Sequence, residues 1–199
     1  GGTEGWVFVV AHVIDGAGVS EGDTAQVEVD AAYRAALSAG HTACHLASLA
    51  LDAALADAWT KPVSTDALGN PAFDALAIQS SRIHENGSVD VYRIGKSLRK
   101  KGFTVAALDD VEALAARVDA HLAQWVAAGG AVHIERADAG LSARRTWVCE
   151  LAEGRTDIPC GGTHVTDLAA FEAITVGFVS EDVEGGRQLT MTTTATRAD

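Results

Sequence analysis

Apolar and polar positions change their period several times along this chain, and each change predicts an element. Residues 6–14 (Trp-Val-Phe-Val-Val-Ala-His-Val-Ile) are β-branched and aromatic and predict a strand. Residues 15–18 (Asp-Gly-Ala-Gly) are a turn signal, and residues 25–29 alternate apolar side chains with Gln26 and Glu28, as a half-buried second strand would. A long run of helix formers follows over residues 31–59, with Asp30 placed to cap its first turn. Gly40 interrupts that run at a cost of about 1 kcal/mol relative to alanine, which suggests close approach by a ligand or another backbone. Residues 60–74, with Pro62 and Gly69-Asn70-Pro71, read as a loop. Residues 75–83 and 88–94 read as strands joined by Glu85-Asn86-Gly87, a hairpin signal. Residues 95–102 predict a loop or a single helical turn. A capping box, Asp109 with Glu112 three positions later, opens a second helix. Val111, Leu114, Val118, Leu122 and Trp125 carry it to about Ala128, and Gly129-Gly130 stops it. Residues 131–136, 146–151, 171–180 and 187–194 complete the strand candidates. Strands and helices mix without strict alternation, which predicts an α+β fold with two main helices packed on antiparallel sheet.

Composition narrows the class. The 199 residues suit one domain or two small ones, 48% are hydrophobic, and no stretch is long and apolar enough to span a membrane. Three cysteines, Cys44, Cys149 and Cys160, make no disulfide framework and fit a reducing cytoplasm. No secretory leader is visible at residues 1–5. The formal net charge of -12 excludes a protein that coats DNA or RNA nonspecifically, because such affinity comes from neutralising phosphates. Charge is uneven, however. Arg82, Arg93, Lys96, Arg99, Lys100 and Lys101 crowd one window whose acids are Glu85 and Asp90. A basic patch on an acidic body suits an oriented contact with a polyanion, and equally a solvated loop.

The candidate chemistry lies in two short segments. His41-Thr42-Ala43-Cys44-His45 puts two imidazoles one turn apart on the same helix face. Far along the chain, Cys160-Gly161-Gly162-Thr163-His164 offers a sulfur and a nitrogen at the same spacing. Two nitrogens from one pair and a sulfur and a nitrogen from the other make a donor set that zinc favours. A zinc-protease helix needs glutamate directly after its first histidine, and Thr42 stands there instead. Structural zinc sites more often use closely paired cysteines, so a working site fits this set better. Four protein donors would nonetheless close a tetrahedral ion.

The strings His-Thr-Ala-Cys-His-Leu at 41–46 and Pro-Cys-Gly-Gly-Thr-His-Val at 159–165 resemble the two signatures of the alanyl-tRNA editing domain. That domain occurs within alanyl-tRNA synthetases and as freestanding proteins of the AlaX type, and it is related to the editing domain of threonyl-tRNA synthetases. The resemblance runs from about Val27 to the strands after His164 and is weaker over residues 60–105. It implies hydrolysis of the ester joining a wrong amino acid, mainly serine or glycine, to tRNA(Ala), with His41, His45, Cys160 and His164 as zinc ligands. It further implies backbone donors at Gly161, Gly162 and Thr163 for a developing oxyanion, and hydroxyl contacts from Thr42 and Thr163. Arg93, Lys96, Arg99, Lys100 and Lys101 are then candidates, on charge alone, for acceptor-stem phosphates. Some members carry threonine where this chain has Cys44. Freestanding members also have a glycine-rich segment in a small N-terminal β-barrel. Part of that barrel is expected at residues 1–30, with the zinc-binding editing domain over 31–199. No synthetase activation domain fits in this length, so action in trans is expected. Two other readings stay open: a module that binds tRNA ends without turnover, and a small-molecule metallohydrolase on the same scaffold.

Overall fold

Asp30 caps the first helix as its sequence position suggests, its carboxylate accepting from the Tyr33 N–H at 2.9 Å. The computed structural model describes residues 9–16 and 18–198. Helix α1 spans Ala31–Ala54 and is alanine-rich, so propensity and a small-residue face both favour it. It ends earlier than its composition suggests, at Leu55, and a 3-10 turn over Ala56–Ala58 carries the chain on. A short helix α2 (Phe73–Ala77) precedes the hairpin β1 (Ile78–His84) and β2 (Gly87–Ile94). Asn86 takes the left-handed φ of 55° that the Asn-Gly signal implies. The basic segment forms α3 (Lys96–Lys100), and α4 covers Val111–Ala128. Strands β3 (Val132–Arg136), β4 (Arg145–Leu151) and β5 (Gly154–Pro159) form one antiparallel meander. The long strands β6 (Phe171–Val183) and β7 (Gly186–Arg197) close the chain.

Two antiparallel sheets result, a four-stranded one in the order β1-β2-β7-β6 and the three-stranded β3-β4-β5. Helices α1 and α4 contact each other and lie against the larger sheet, α1 over β1, β2 and β7, α4 over β6. The α+β architecture with two main helices on antiparallel sheet is therefore the observed one. Leu46, Leu51, Trp125, Tyr92, Leu189 and Met191 are fully or almost fully buried in the layer between helices and sheet. Among the described residues no helix is long and apolar enough to cross a membrane.

Several details differ from the sequence pattern. Residues 25–29 form no strand, nor do residues 9–14, and residues 6–8 of the first expected strand lie outside those described. Val9, Val10, Val13, Val27 and Val29 are exposed, so their β-branched pattern has no sheet edge to join. No closed barrel exists among the described residues. Residues 75–77 are helical rather than extended, because the buried Asp52 carboxylate accepts from the Asp74 N–H at 2.7 Å and caps α2 from outside. The cap of α4 is Asp110, accepting from the Ala113 N–H at 2.9 Å, and Asp109 instead pairs with Arg187. Strand β5 was not marked by the sequence pattern at all.

Gly40 has a backbone for its close neighbour. A β-carbon there would overlap the His84 carbonyl and both backbone polar atoms of Gly87, at the β1–β2 turn. The Asn86 N–H donates to the Ala36 carbonyl at 2.9 Å and ties the same turn to α1. Replacing Gly40 with alanine should therefore lose roughly 1–3 kcal/mol of stability by overpacking, although alanine is the better helix former. Urea unfolding of the Gly40→Ala variant tests this, and equal or greater stability would contradict it.

Asp52 is 3% exposed, and burial pushes its carboxyl up from 3.8 to about 8, with Asp74 and Asp66 adding repulsion against backbone hydrogen bonds. The unfolded chain releases this proton near the ordinary value while the folded chain holds it. Stability conferred by the protonated form is thus lost as pH rises from about 4 to about 8. Asparagine can accept the same hydrogen bond without ionising. The melting temperature of Asp52→Asn relative to the parent should rise between pH 5 and pH 9, and a pH-independent difference would count against the assignment.

Candidate metal centre

The phase of α1 sets up the site. At 100° per residue, Arg34, Ser38, His41, His45 and Asp52 return to nearly the same face. The small residues Ala39, Ala43, Ala47 and Ala50 are buried. The polar face meets the segment that follows β5. That segment is anchored at both ends. The Cys160 N–H donates to the Arg145 carbonyl at 3.1 Å, and the Val132 N–H donates to the Thr166 carbonyl at 2.9 Å. Strand β5 thus delivers Cys160, and the tie to β3 delivers His164.

The structure brings His41, His45, Cys160 and His164 together, with their donor atoms all within 4.8 Å of one another, so the cluster can hold a metal ion. Cys160 Sγ lies 3.4 Å from His41 Nε2 and 3.5 Å from His164 Nε2. Tetrahedral zinc, with Zn–N near 2.0–2.1 Å and Zn–S near 2.3 Å, sets sulfur–nitrogen separations of roughly 3.6 Å. His45 Nε2 is buried and has no hydrogen-bond partner among the described residues, which is costly for a ring nitrogen unless a cation meets it. The donor set and its spacing fit a zinc-like ion.

Electrostatics favour the ligating form of each ring. Burial pushes His45 down to about 4, and the neighbouring His41 charge adds to the shift. Burial likewise pushes His164 down to about 3, followed by repulsion from His41 and His45. His41 is lowered by burial, against a backbone hydrogen bond to Thr163 that acts the other way. Neutral imidazoles are the form a metal accepts. Trp147, fully buried on β4, sets its indole 5.0 Å from the His45 ring centroid at a tilt of 38° and covers that side of the ring. The sequence pattern had not marked it, although it alone on β4 joins the cluster from the smaller sheet.

Thr42, expected to offer its hydroxyl to a substrate, is completely buried in this structure. Instead Oγ1 lies 3.2 Å from His164 Nδ1 and accepts from the Val165 N–H at 3.2 Å. That contact leaves His164 Nε2 turned toward Cys160. Gly161 and Gly162 are exposed and Thr163 is half-buried. A β-carbon on Gly162 would overlap the His41 ring, so only glycine admits this approach. Among the described residues the backbone N–H groups of Gly161, Gly162 and Thr163 donate to no protein acceptor. Cys44, next to His45, turns away to the sheet, 3.7 Å from both Asp90 oxygens, and burial pushes its thiol up to about 12.

The basic candidates are not brought to the cluster. Lys96, Arg99, Lys100 and Lys101 are exposed on and just after α3, and the Arg93 guanidinium donates to the Glu184 carbonyl. Their segment meets the chain beyond the end of α1, where the Thr60 N–H donates to the Gly102 carbonyl. Nine helical residues past His45, roughly 14 Å, and a 3-10 turn intervene. Two arginines do lie near the cluster and were not singled out: Arg34 and Arg197 line a cavity of about 520 Å³ that includes His164. The signal for Arg34 was its helical phase with His41. Arg197 comes from the last residue of β7 and has no local signal.

Removing the support under His164 should loosen metal binding. Thr42→Val keeps the shape but deletes the hydroxyl, and zinc affinity should fall about 10–100-fold. Competition with a chromogenic chelator measures it, and unchanged affinity would remove Thr42 from the site's supporting contacts.

The chain is 29% identical over 166 residues to the alanine–tRNA ligase of Ruegeria pomeroyi, a match that covers 81% of this chain. It spans only 18% of that protein's length. No family model matches the chain. The similarity relates this chain to part of an alanyl-tRNA synthetase.

Proposed function

We propose that this chain hydrolyses the ester linking a wrong amino acid to tRNA, with seryl- or glycyl-tRNA(Ala) as its substrate, acting in trans. The reading is carried by one observation: two histidines of α1 and the Cys160–His164 pair converge within 4.8 Å in a chain similar to an alanine–tRNA ligase. In this reading residues 31–199 are the editing unit, and His41, His45, Cys160 and His164 hold zinc.

A zinc ion there would polarise the ester carbonyl or a water molecule. The protein's own part is orientation. The free N–H groups of Gly161, Gly162 and Thr163 are the donors for negative charge that develops on the carbonyl oxygen, and their exposure lets a substrate reach them. Thr163, half-buried next to His164, is the candidate for a hydroxyl contact. Thr42 acts through His164 rather than on the substrate. The exposed Lys96, Arg99, Lys100 and Lys101, with Arg93, lie far enough away to meet a phosphate backbone leading away from the ester, not the ester itself.

One feature favours a second reading. Four protein donors close a tetrahedral ion and leave no position for substrate. A tRNA-end binding module with a structural metal would look the same. Turnover requires one donor to give way or a fifth ligand to join. Deacylation of seryl-, glycyl- and alanyl-tRNA(Ala), with and without chelator, separates the two. The hydrolase reading expects loss of serine and glycine, sparing of alanine, and a fall to the uncatalysed rate once metal is stripped. Binding of tRNA without any metal-dependent release would establish the module instead.

A further inference from the structure

The polar face of α1 changes chemistry along its length. Toward its start stand Arg34 and Ser38, in the middle His41 and His45, and toward its end Asp52. Cavities flank the cluster at both ends. The one at the start, about 520 Å³, has His164 in its wall, Arg34 and Arg197 on its rim, and Val29, Ala35 and Val165 among its apolar surfaces. The one past His45, about 430 Å³, includes Ser48 and Pro159 and is lined by Asp52, Asp66, Asp74 and Asp157, with no lysine or arginine. Arg34 belongs to α1 and Arg197 to the end of β7, so two separate elements each contribute an arginine to the lining of one opening. Among the described residues neither arginine takes part in an ion pair. The start of α1 itself is already capped by the Asp30 carboxylate, so the helix end adds little attraction for an anion. The arginines must supply it.

We propose that the cavity between Arg34, Arg197 and His164 is the seat of the substrate's 3′-terminal nucleotide, with the two guanidinia on its phosphate. The inference rests on the hydrolase reading for the identity of the substrate. An aminoacyl ester is carried by a terminal nucleotide whose phosphate is anionic, and it needs cations on the side from which the nucleotide enters. Guanidinium forks match phosphate oxygens in pairs, which lysine cannot do. The volume is ample for one nucleotide. The carboxyl-lined cavity offers a phosphate no cationic partner. The nucleotide therefore enters from the start of α1. This contact is separate from the distant lysines of α3.

The test uses the full chain with zinc added, and seryl-tRNA(Ala) as substrate. Arg34→Ala and Arg197→Ala should each raise KM severalfold with kcat little changed, because the contact is made before and during the reaction. The slope of log Kd for tRNA against log salt should shrink by about 0.7 for each arginine removed. Adenosine 5′-monophosphate should inhibit the parent and fail to inhibit the double variant, and Arg34→Lys should recover only part of the loss. Both side chains are exposed, so folding is expected to survive, and melting curves check it. Unchanged KM, slope and inhibition in the double variant of an active enzyme would overturn this inference and leave the hydrolase reading intact. A parent that releases no amino acid, yet whose salt slope for tRNA binding shrinks on removal of the arginines, would overturn the hydrolase reading and keep the nucleotide seat.

Discussion

Four electron-pair donors held within 4.8 Å of one another, one of them a buried and unpartnered ring nitrogen, are an unstable arrangement without a cation. In the unfolded chain each donor is hydrated and far from the others. Folding removes that water and presses lone pairs together, and burial, joined at His45 and His164 by repulsion from the neighbouring rings, favours the neutral form of the three imidazoles. A divalent ion would convert the same crowding into attraction, so binding one there would add directly to the free energy of folding. The term is long-range in sequence. It joins a helix that opens at residue 31 to a loop after residue 159, and through β4 and β5 it joins the two sheets.

Everything in α1 follows from serving two neighbours at once. One face of alanines and Gly40 lies so close to the larger sheet that a single added carbon would strike the β1–β2 turn. The other face carries charged, polar and ligating side chains, and several of the buried polar groups there find partners. Ser38 donates to the Arg34 carbonyl, Asp52 caps α2, and Thr42, facing the site loop, accepts from Val165. The ligand rings are therefore set by helix phase and by contacts at their far side. Such placement is stiff, as a site of this kind requires.

Much of this was legible from residues alone. The histidine spacing and the Cys-Gly-Gly-Thr-His string name the cluster, because both depend only on local geometry. The Asn-Gly turn, the Asp30 cap and the strands β3, β4, β6 and β7 were readable for the same reason. What escaped was decided by partners distant in sequence. Residues 75–77 turned helical because Asp52 reaches them from another helix. Residues 25–29 have the alternation of a strand but no edge to join. Strand β5 is short and polar, and pairing with β4 alone makes it a strand. The burial of Thr42 beside His164 is likewise set by packing that no local pattern encodes. Arg197 is an unremarkable charge at the end of a strand, and only the tertiary fold brings it beside His164.

Trp147 has a consequence of its own. It is fully buried, its ring lies 5.0 Å from His45 and 5.9 Å from His164, and its indole nitrogen has no partner among the described residues. Its flat apolar ring lies beside two of the four donors, so cutting it back to alanine would open the inner wall of the cluster to water.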